Sequence, residues 1–405
     1  MKFAHFADVH IGSWRDPKLS DLSTLAFEKA VNYCIKEQVD FILIAGDIFN
    51  TSLPPIDKLK SVVIKLKELK QNDIPVYIVA GSHDFSPSGK TMLDVLEEAG
   101  LFINVVKGEV DNNQLKLNFT TDQKTGAKIT GMIGKKGMLE RSHYEALDRN
   151  SLENESGYKI FMFHTALTEL KPKEMEKMDS APISYLPRNF NYYAGGHVHI
   201  IKHMNMDGYN NITYPGALFP ANFKELEEFK HGGMYIVEDN NVTWHPIKVM
   251  DVQSINLDCN HKSPQYIEEE LKHNIKDRDF TDTIVTIRLK GTLESGRISD
   301  INFKEIVENL HEHNAYFVMK NTNALKTKEF EEIKINSNST IDIEESIIKE
   351  HLGQVTVGII PEKEQELTTA LINALDLEKQ EGEKVNEYEV RVKAGVKGVL
   401  SSILE

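Results

Sequence analysis

The run Phe41-Ile42-Leu43-Ile44-Ala45-Gly46-Asp47 decides how the first half of this chain folds. Five successive apolar residues suit a strand covered on both faces, which is the condition of a parallel sheet. Gly46 lets the backbone turn sharply. Asp47 then stands beyond the carboxyl end of the strand, where open α/β sheets place their ligands. Outward from this run the pattern repeats. Lys2–Ala7 reads as a strand ending in Asp8-Val9-His10, and Val76–Ala80 as one ending in Gly81-Ser82-His83-Asp84. Between them the spacing predicts helices from about Leu22 to Gln38, through Leu59, Val62, Val63, Leu66 and Leu69, and over Met92–Ala99. Lys159–Phe163 is a further predicted strand, ending in His164. Tyr192–Ala194 is another, ending in Gly195-Gly196-His197-Val198-His199. Five strand ends are thus expected to deliver carboxylates and imidazoles to one edge of one sheet.

With the predicted strands Ile212–Tyr214 and Gly233–Val237, this rhythm implies an α/β domain over residues 1–245, with βαβ units and helices on both faces. The texture changes near Lys248–Val252. A strand, Thr283–Leu289, a helix carrying Phe303, Ile306, Val307 and Leu310, and a strand, Ala315–Met319, suffice for a small α+β domain over 246–325. The polar stretch 326–340 reads as a linker. In 341–405, Leu367, Ala370, Leu371, Ala374 and Leu375 form one helical apolar stripe, and Val396, Val399, Leu400 and Ile403 a second. Such helices are too few to build a core alone, so they either pack back on the body or dock a partner.

At 405 residues the chain is long enough for two or three domains. No apolar run approaches a membrane span, and the start shows no signal-peptide pattern. Two cysteines, Cys34 and Cys259, make neither a disulfide framework nor a thiolate zinc site, so a reducing, cytoplasmic setting is expected. The formal net charge of -15 disfavours a surface that grips nucleic acid all over. Bound divalent cations can reverse the field locally.

Carboxylate and neutral imidazole donors without thiolates suit Mn²⁺, Fe²⁺ or Zn²⁺, and Asp47 has the two oxygens needed to bridge a pair of ions. The ordered set Asp8-Val9-His10, Gly46-Asp47, Gly81-Ser82-His83-Asp84, His164 and Gly196-His197-Val198-His199 resembles the pattern of the calcineurin-like metallophosphoesterases. Phe6–Gly12 and Ala45–Phe49 resemble its DNA-repair nuclease branch, the Mre-eleven and SbcD proteins, in an archaeal form. That resemblance implies a mixed-sheet phosphoesterase domain, a capping domain after residue 245 and a helical partner-binding tail. It implies two Mn²⁺ per subunit, one on Asp8, His10, Asp47 and His199, the other on Asp47, His164, His197 and Ser82. It further implies His83 as general acid or transition-state stabiliser oriented by Asp84, and Asn50 as a contact to substrate phosphate. The activity implied is exo- and endonucleolytic processing of double-strand breaks, with a coiled-coil ATPase of the Rad-fifty family as partner. A homodimer through the helix Ile56–Lys70 and the one near Met92 is implied as well. Ser82 stands where the family has Asn, and Asn50 where many members have His, so an active enzyme of altered metal preference or rate is expected.

Ser88-Gly89-Lys90-Thr91 lacks the glycine spacing of a phosphate-binding loop. Lys135, Lys136, Arg141, Lys171 and Lys173 are candidate phosphate contacts in loops. A small-nucleotide phosphodiesterase would share the site but has no evident need of the later domains. A DNA-end-binding scaffold with a degenerate metal site is the non-enzymatic alternative.

Overall fold

Both faces of the first strands are apolar, and both are buried. The computed structural model describes residues 1–84, 91–134, 141–327, 361–377, 379–380 and 383–404. The chain opens with β1 (Lys2–Phe6), α1 (Pro17–Lys36), β2 (Phe41–Ala45), α2 (Ile56–Gln71), β3 (Val76–Val79) and α3 (Met92–Glu98), as the periodicity predicts. Short strands missed by that reading follow: β4 (Ile103–Asn104), β5 (Gly108–Asp111), β6 (Gln114–Leu117), β7 (Thr120–Thr121) and β8 (Lys128–Gly131). After α4 (Arg141–Glu145) and α5 (Arg149–Glu153) come β9 (Lys159–His164), β10 (Tyr192–Gly196), β11 (Ile201–Met206) and β12 (Tyr209–Pro215). Helix α6 (Phe223–Phe229) leads into β13 (Gly232–Glu238) and β14 (Asn241–Ile247).

These strands make two six-stranded mixed sheets, in the orders β14-β13-β1-β2-β3-β4 and β11-β12-β10-β9-β8-β7. Strands β1, β2, β3 and β4 run parallel, as do β8, β9, β10 and β12 within the second sheet. The expectation of a single sheet edge is therefore corrected: β1, β2 and β3 belong to one sheet, β9 and β10 to the other. Side-chain alternation explains the stacking. Phe3, Phe41, Leu43, Tyr77 and Val79 point inward and pack with Ile129, Ile160, Met162, Tyr192 and Ala194 of the second sheet. Ala4, Phe6, Ile42 and Ile44 point the other way, against Phe27, Val31, Val62 and Leu66 of α1 and α2. Burial of both faces leaves no polar alternation in the strand sequences, so the second sheet could not be told from the first by pattern.

Beyond β14 lie β15 (Asp251–Asp258), α7 (Pro264–Ile275), β16 (Thr283–Thr292), α8 (Phe303–Glu312) and β17 (Phe317–Lys326), with the strands in one sheet in the order β15-β16-β17. The last described helices, α9 (Pro361–Leu375) and α10 (Val385–Leu404), pack on each other. The chain divides into two compact units. One comprises Met1–Leu257, Glu268–Leu289 and Asn302–Thr322, the other Asp258–Ile267, Lys290–Ile301 and Asn323–Glu405. No break between units falls at residue 245. Of the expected linker only 326 and 327 are described, with Lys326 still in β17; the remainder, like residues 85–90 and 135–140, lies outside the described residues. Among the described residues no helix is long and apolar enough to cross a membrane.

Candidate metal centre

Three strand ends of the first sheet and two of the second converge on one buried pocket of polar side chains. The loops after β1 and β2 are tied to each other by main-chain bonds, Asp8 N to Gly46 O at 3.2 Å, His10 N to Asp47 O at 2.9 Å and Ile11 N to Ile48 O at 3.0 Å. Asp8, His10 and Asp47 adopt φ values of 49°, 45° and 51°, and His197 one of 88°. Non-glycine residues seldom enter that region, and a cluster of them marks a site whose surroundings enforce it. Gly46 and Gly81 are required for close approach: a Cβ on Gly46 would collide with the His164 ring, and one on Gly81 with Asp47.

Asp47 is the hub. Its Oδ1 accepts from the His83 main-chain N–H at 2.7 Å. Its Oδ2 lies 3.2 Å from His164 Nε2, 3.7 Å from His10 Nε2 and 3.5 Å from the Ser82 hydroxyl, which donates to it. Asp8 accepts the His197 main-chain N–H on both oxygens, at 2.9 and 3.1 Å, and sits 3.8 Å from His199 Nε2. His10 Nε2 and His199 Nε2 face each other at 3.1 Å. Ligating atoms thus gather in three overlapping groups: Asp8, His10 and His199; Asp8, Asp47 and His164; His10, Asp47 and His83. His197 stands at the margin, its ring centroid 5.1 Å from that of His164 and outside those three groups.

This donor set fits divalent cations. His164 Nδ1 donates to Ala45 O at 2.8 Å, which leaves Nε2 turned towards Asp47 as an imidazole lone pair. That Nε2 is buried without a hydrogen bond, a costly state for a polar atom unless another partner takes it up. Without a cation, charge redistributes among the ligands. Burial opposes ionisation of Asp47, but His164 and His10 outweigh it and hold the carboxyl well below the usual range. Burial likewise works against a charged His164, yet Asp47 and Asp8 push it up to about 10. His199 rises to about 9 in the same way, through Asp8 and Glu225. His10 goes the other way, to about 3, because burial and the neighbouring His199 both disfavour its proton.

His83 and Asp84 require a correction. Asp84 does not orient the His83 ring: His83 Nδ1 donates to the main-chain oxygen of Asn50 at 2.9 Å. The Asp84 oxygens instead accept from the N–H groups of Ile48, Phe49 and Gly81, at 3.3, 3.2 and 3.1 Å, and so clamp the loops after β2 and β3 together. Burial and then Asp47 push the Asp84 carboxyl up to about 7. Of the candidate phosphate contacts, two have partners within the protein. Lys171 is spent on its own loop, donating to Glu176 O, Met178 O and Ser180, while Arg141 bonds Glu145 and Tyr185. Lys135 and Lys136 lie outside the described residues. Two contributors went unread in the sequence. The Asn50 carbonyl is a main-chain group and leaves no residue signature. Glu225, which accepts from His199 Nδ1 at 2.9 Å, hides in Asn222-x-x-Glu225, a pattern that also reads as ordinary helix capping.

Comparison with known proteins agrees with this geometry. Residues 1–200 match the family model of the calcineurin-like phosphoesterases. The matched stretch holds Asp8, His10, Asp47, Ser82, His83, His164, His197 and His199. A protein of Methanococcus maripaludis named DNA double-strand break repair protein Mre11 is 26% identical over 364 residues, 86% of this chain and 89% of its own length. The protein of that name in Sulfolobus acidocaldarius is 24% identical over 94% of this chain and 97% of its own, and the one in Sulfurisphaera tokodaii 30% identical over 56% and 57%. The chain is thus similar, along nearly the whole length of two of them, to proteins named Mre11.

Proposed function

We propose that this protein is a Mn²⁺-dependent DNA exo- and endonuclease that processes double-strand breaks by phosphodiester hydrolysis. The observation that carries the reading is the overlap of three ligand groups around Asp8, His10 and Asp47, with the His83 ring beside them. Two cations would be held by Asp8, His10, Asp47 and His199, and by Asp47, His164 and His197 with Ser82. When bound, such ions supply positive charge for the phosphoryl oxygens and acidify a nucleophilic water. The side chains do the rest. His83 donates its Nδ1–H to Asn50 O, which leaves Nε2 as the ring nitrogen outside that bond. Carrying a proton there as well, as imidazolium, His83 would hand that proton to the leaving oxygen and return to the neutral Nδ1–H form. Its own main-chain N–H braces Asp47. The half-buried Asn50, whose main-chain oxygen holds this ring, would contact a substrate phosphate through its side chain.

The names of the relatives, and their alignment along nearly the full chain, favour DNA breaks over a small nucleotide as substrate. With this activity we also propose the assembly that the sequence resemblance implies, a homodimer bound to a coiled-coil ATPase. Leu53, Ile56 and Ile64 in and before α2, and Val95 in α3, are exposed apolar residues on the two helices expected at the dimer contact. The deciding experiment offers linear double-stranded DNA and a small chromogenic diester to the purified protein, in Mn²⁺ and in chelator. We expect Mn²⁺-dependent DNA cleavage, with His83→Ala slowed about 10²–10⁴-fold at unchanged metal content. Turnover of the small diester alone would replace the DNA reading, and binding of DNA without cleavage of either would leave a scaffold.

A further inference from the structure

Helix α6 holds a carboxylate whose geometry capping alone does not explain. Glu225 Oε1 accepts from His199 Nδ1 at 2.9 Å and from the Asn222 side-chain amide at 2.5 Å, and Oε2 accepts from the Ala221 N–H at 2.7 Å. The Asn222 side chain in turn accepts from the Glu225 N–H at 3.0 Å, so the carboxylate is fixed from three sides. On the opposite side of the imidazole, His199 Nε2 faces His10 Nε2 at 3.1 Å and Asp8 Oδ1 at 3.8 Å. An imidazole can present only one lone pair when its other nitrogen carries the proton. A helix of seven residues is too short to hold itself. This one is seated by the fully buried Leu226 and by Glu227, whose Oε2 accepts from Arg288 Nη2 at 2.6 Å and Nε at 2.8 Å. The Arg288 guanidinium also lies over the Phe223 ring, 5.0 Å from its centroid.

The geometry points to Glu225 as a positioning residue that keeps the His199 proton on Nδ1 and turns Nε2 towards the metal, with α6, anchored by Arg288, as its mount. Partners of this kind commonly govern the affinity of a histidine ligand for its ion. The inference rests on the metal-dependent reading above and names the determinant of one ligand's competence. Loss of Glu225 leaves Nδ1 without its acceptor and frees the ring to rotate or to keep its proton on Nε2. A glutamine there still offers a carbonyl oxygen to Nδ1–H.

The test titrates Mn²⁺ into the full-length protein, reading free Mn²⁺ by electron paramagnetic resonance, for wild type, Glu225→Ala and Glu225→Gln. We expect Glu225→Ala to bind the ion about 10–100-fold more weakly and Glu225→Gln to stay within about threefold of wild type. In the diamagnetic Zn²⁺-loaded protein, the Nδ1 proton of His199 should give an exchange-protected downfield resonance that Glu225→Gln keeps and Glu225→Ala loses. Wild-type affinity in Glu225→Ala, or a tenfold loss in Glu225→Gln, would overturn the inference. Should Glu225→Ala fail to fold, the Glu225→Gln affinity and proton resonance decide alone. A wild type that takes up no Mn²⁺ would instead sink the metal-dependent reading, and this inference with it.

Discussion

At the scale of single residues, the metal centre is a set of charges that cannot all be satisfied by one another. His164 is pushed up to about 10 and His199 to about 9, so the folded, metal-free protein keeps protons that the unfolded chain sheds above 6.5. Stability from these two groups is complete below pH 6.5 and is lost as pH rises through their folded values. The melting temperature in chelator should therefore fall between pH 6.5 and about 10, and Mn²⁺ should flatten that slope because the ion takes the place of the protons. A chelated protein whose melting is level across that range would contradict the assignment. Ser82 sets a second expectation. Its hydroxyl is 3.5 Å from Asp47 Oδ2 and is shorter than the amide usual in the family. Ser82→Asn should tighten the weaker of two Mn²⁺ binding steps by about tenfold, roughly the value of one charge-assisted contact. Calorimetric titration of both proteins would show it, and unchanged binding would remove Ser82 from the ligand set.

At the scale of elements, loops rather than strands carry the strain, and Asp84 holds them. Its carboxylate is buried and accepts three main-chain N–H groups from two loops. Asp84→Ala leaves those donors without an acceptor, which should cost about 3 kcal/mol in urea unfolding. Asp84→Asn, which keeps one carbonyl oxygen, should lose less. Equal stability of Asp84→Ala and wild type would show the clamp to be unimportant. The same element explains a limit of pattern reading. Asp84 follows His83 directly, and the family resemblance implied that it orients the ring. The turn sends the two side chains in different directions, and the ring is held from Asn50 across the loop after β2.

At the scale of the whole molecule, the site exists only where two sheets meet, so folding and metal binding are coupled. The inward faces of β1, β2 and β3 pack on those of β8, β9 and β10, and this packing brings His164 within reach of Asp47. Mn²⁺ at a hundred times its dissociation constant should stabilise the fold by about 2.7 kcal/mol. The melting temperature should rise accordingly and return on adding chelator, whereas Asp47→Asn should show little response. A metal response that survives Asp47→Asn would mean that the ion binds elsewhere.

The sequence by itself determined which residues could bear the chemistry. Short apolar runs closed by Asp, Gly and His declare strand ends, and their order along the chain carries the family resemblance. The α/β class and the first two βαβ steps follow from periodicity alone, because alternating local structure leaves a local trace. Tertiary structure alone decided that the strand ends belong to two sheets, since residues buried on both faces carry no mark of the sheet they join. It alone decided that His83 rests on a carbonyl and His199 on Glu225. Hydrogen bonds to main-chain atoms, and contacts between residues 26 positions apart, depend on where the backbone travels rather than on what the neighbouring letters are.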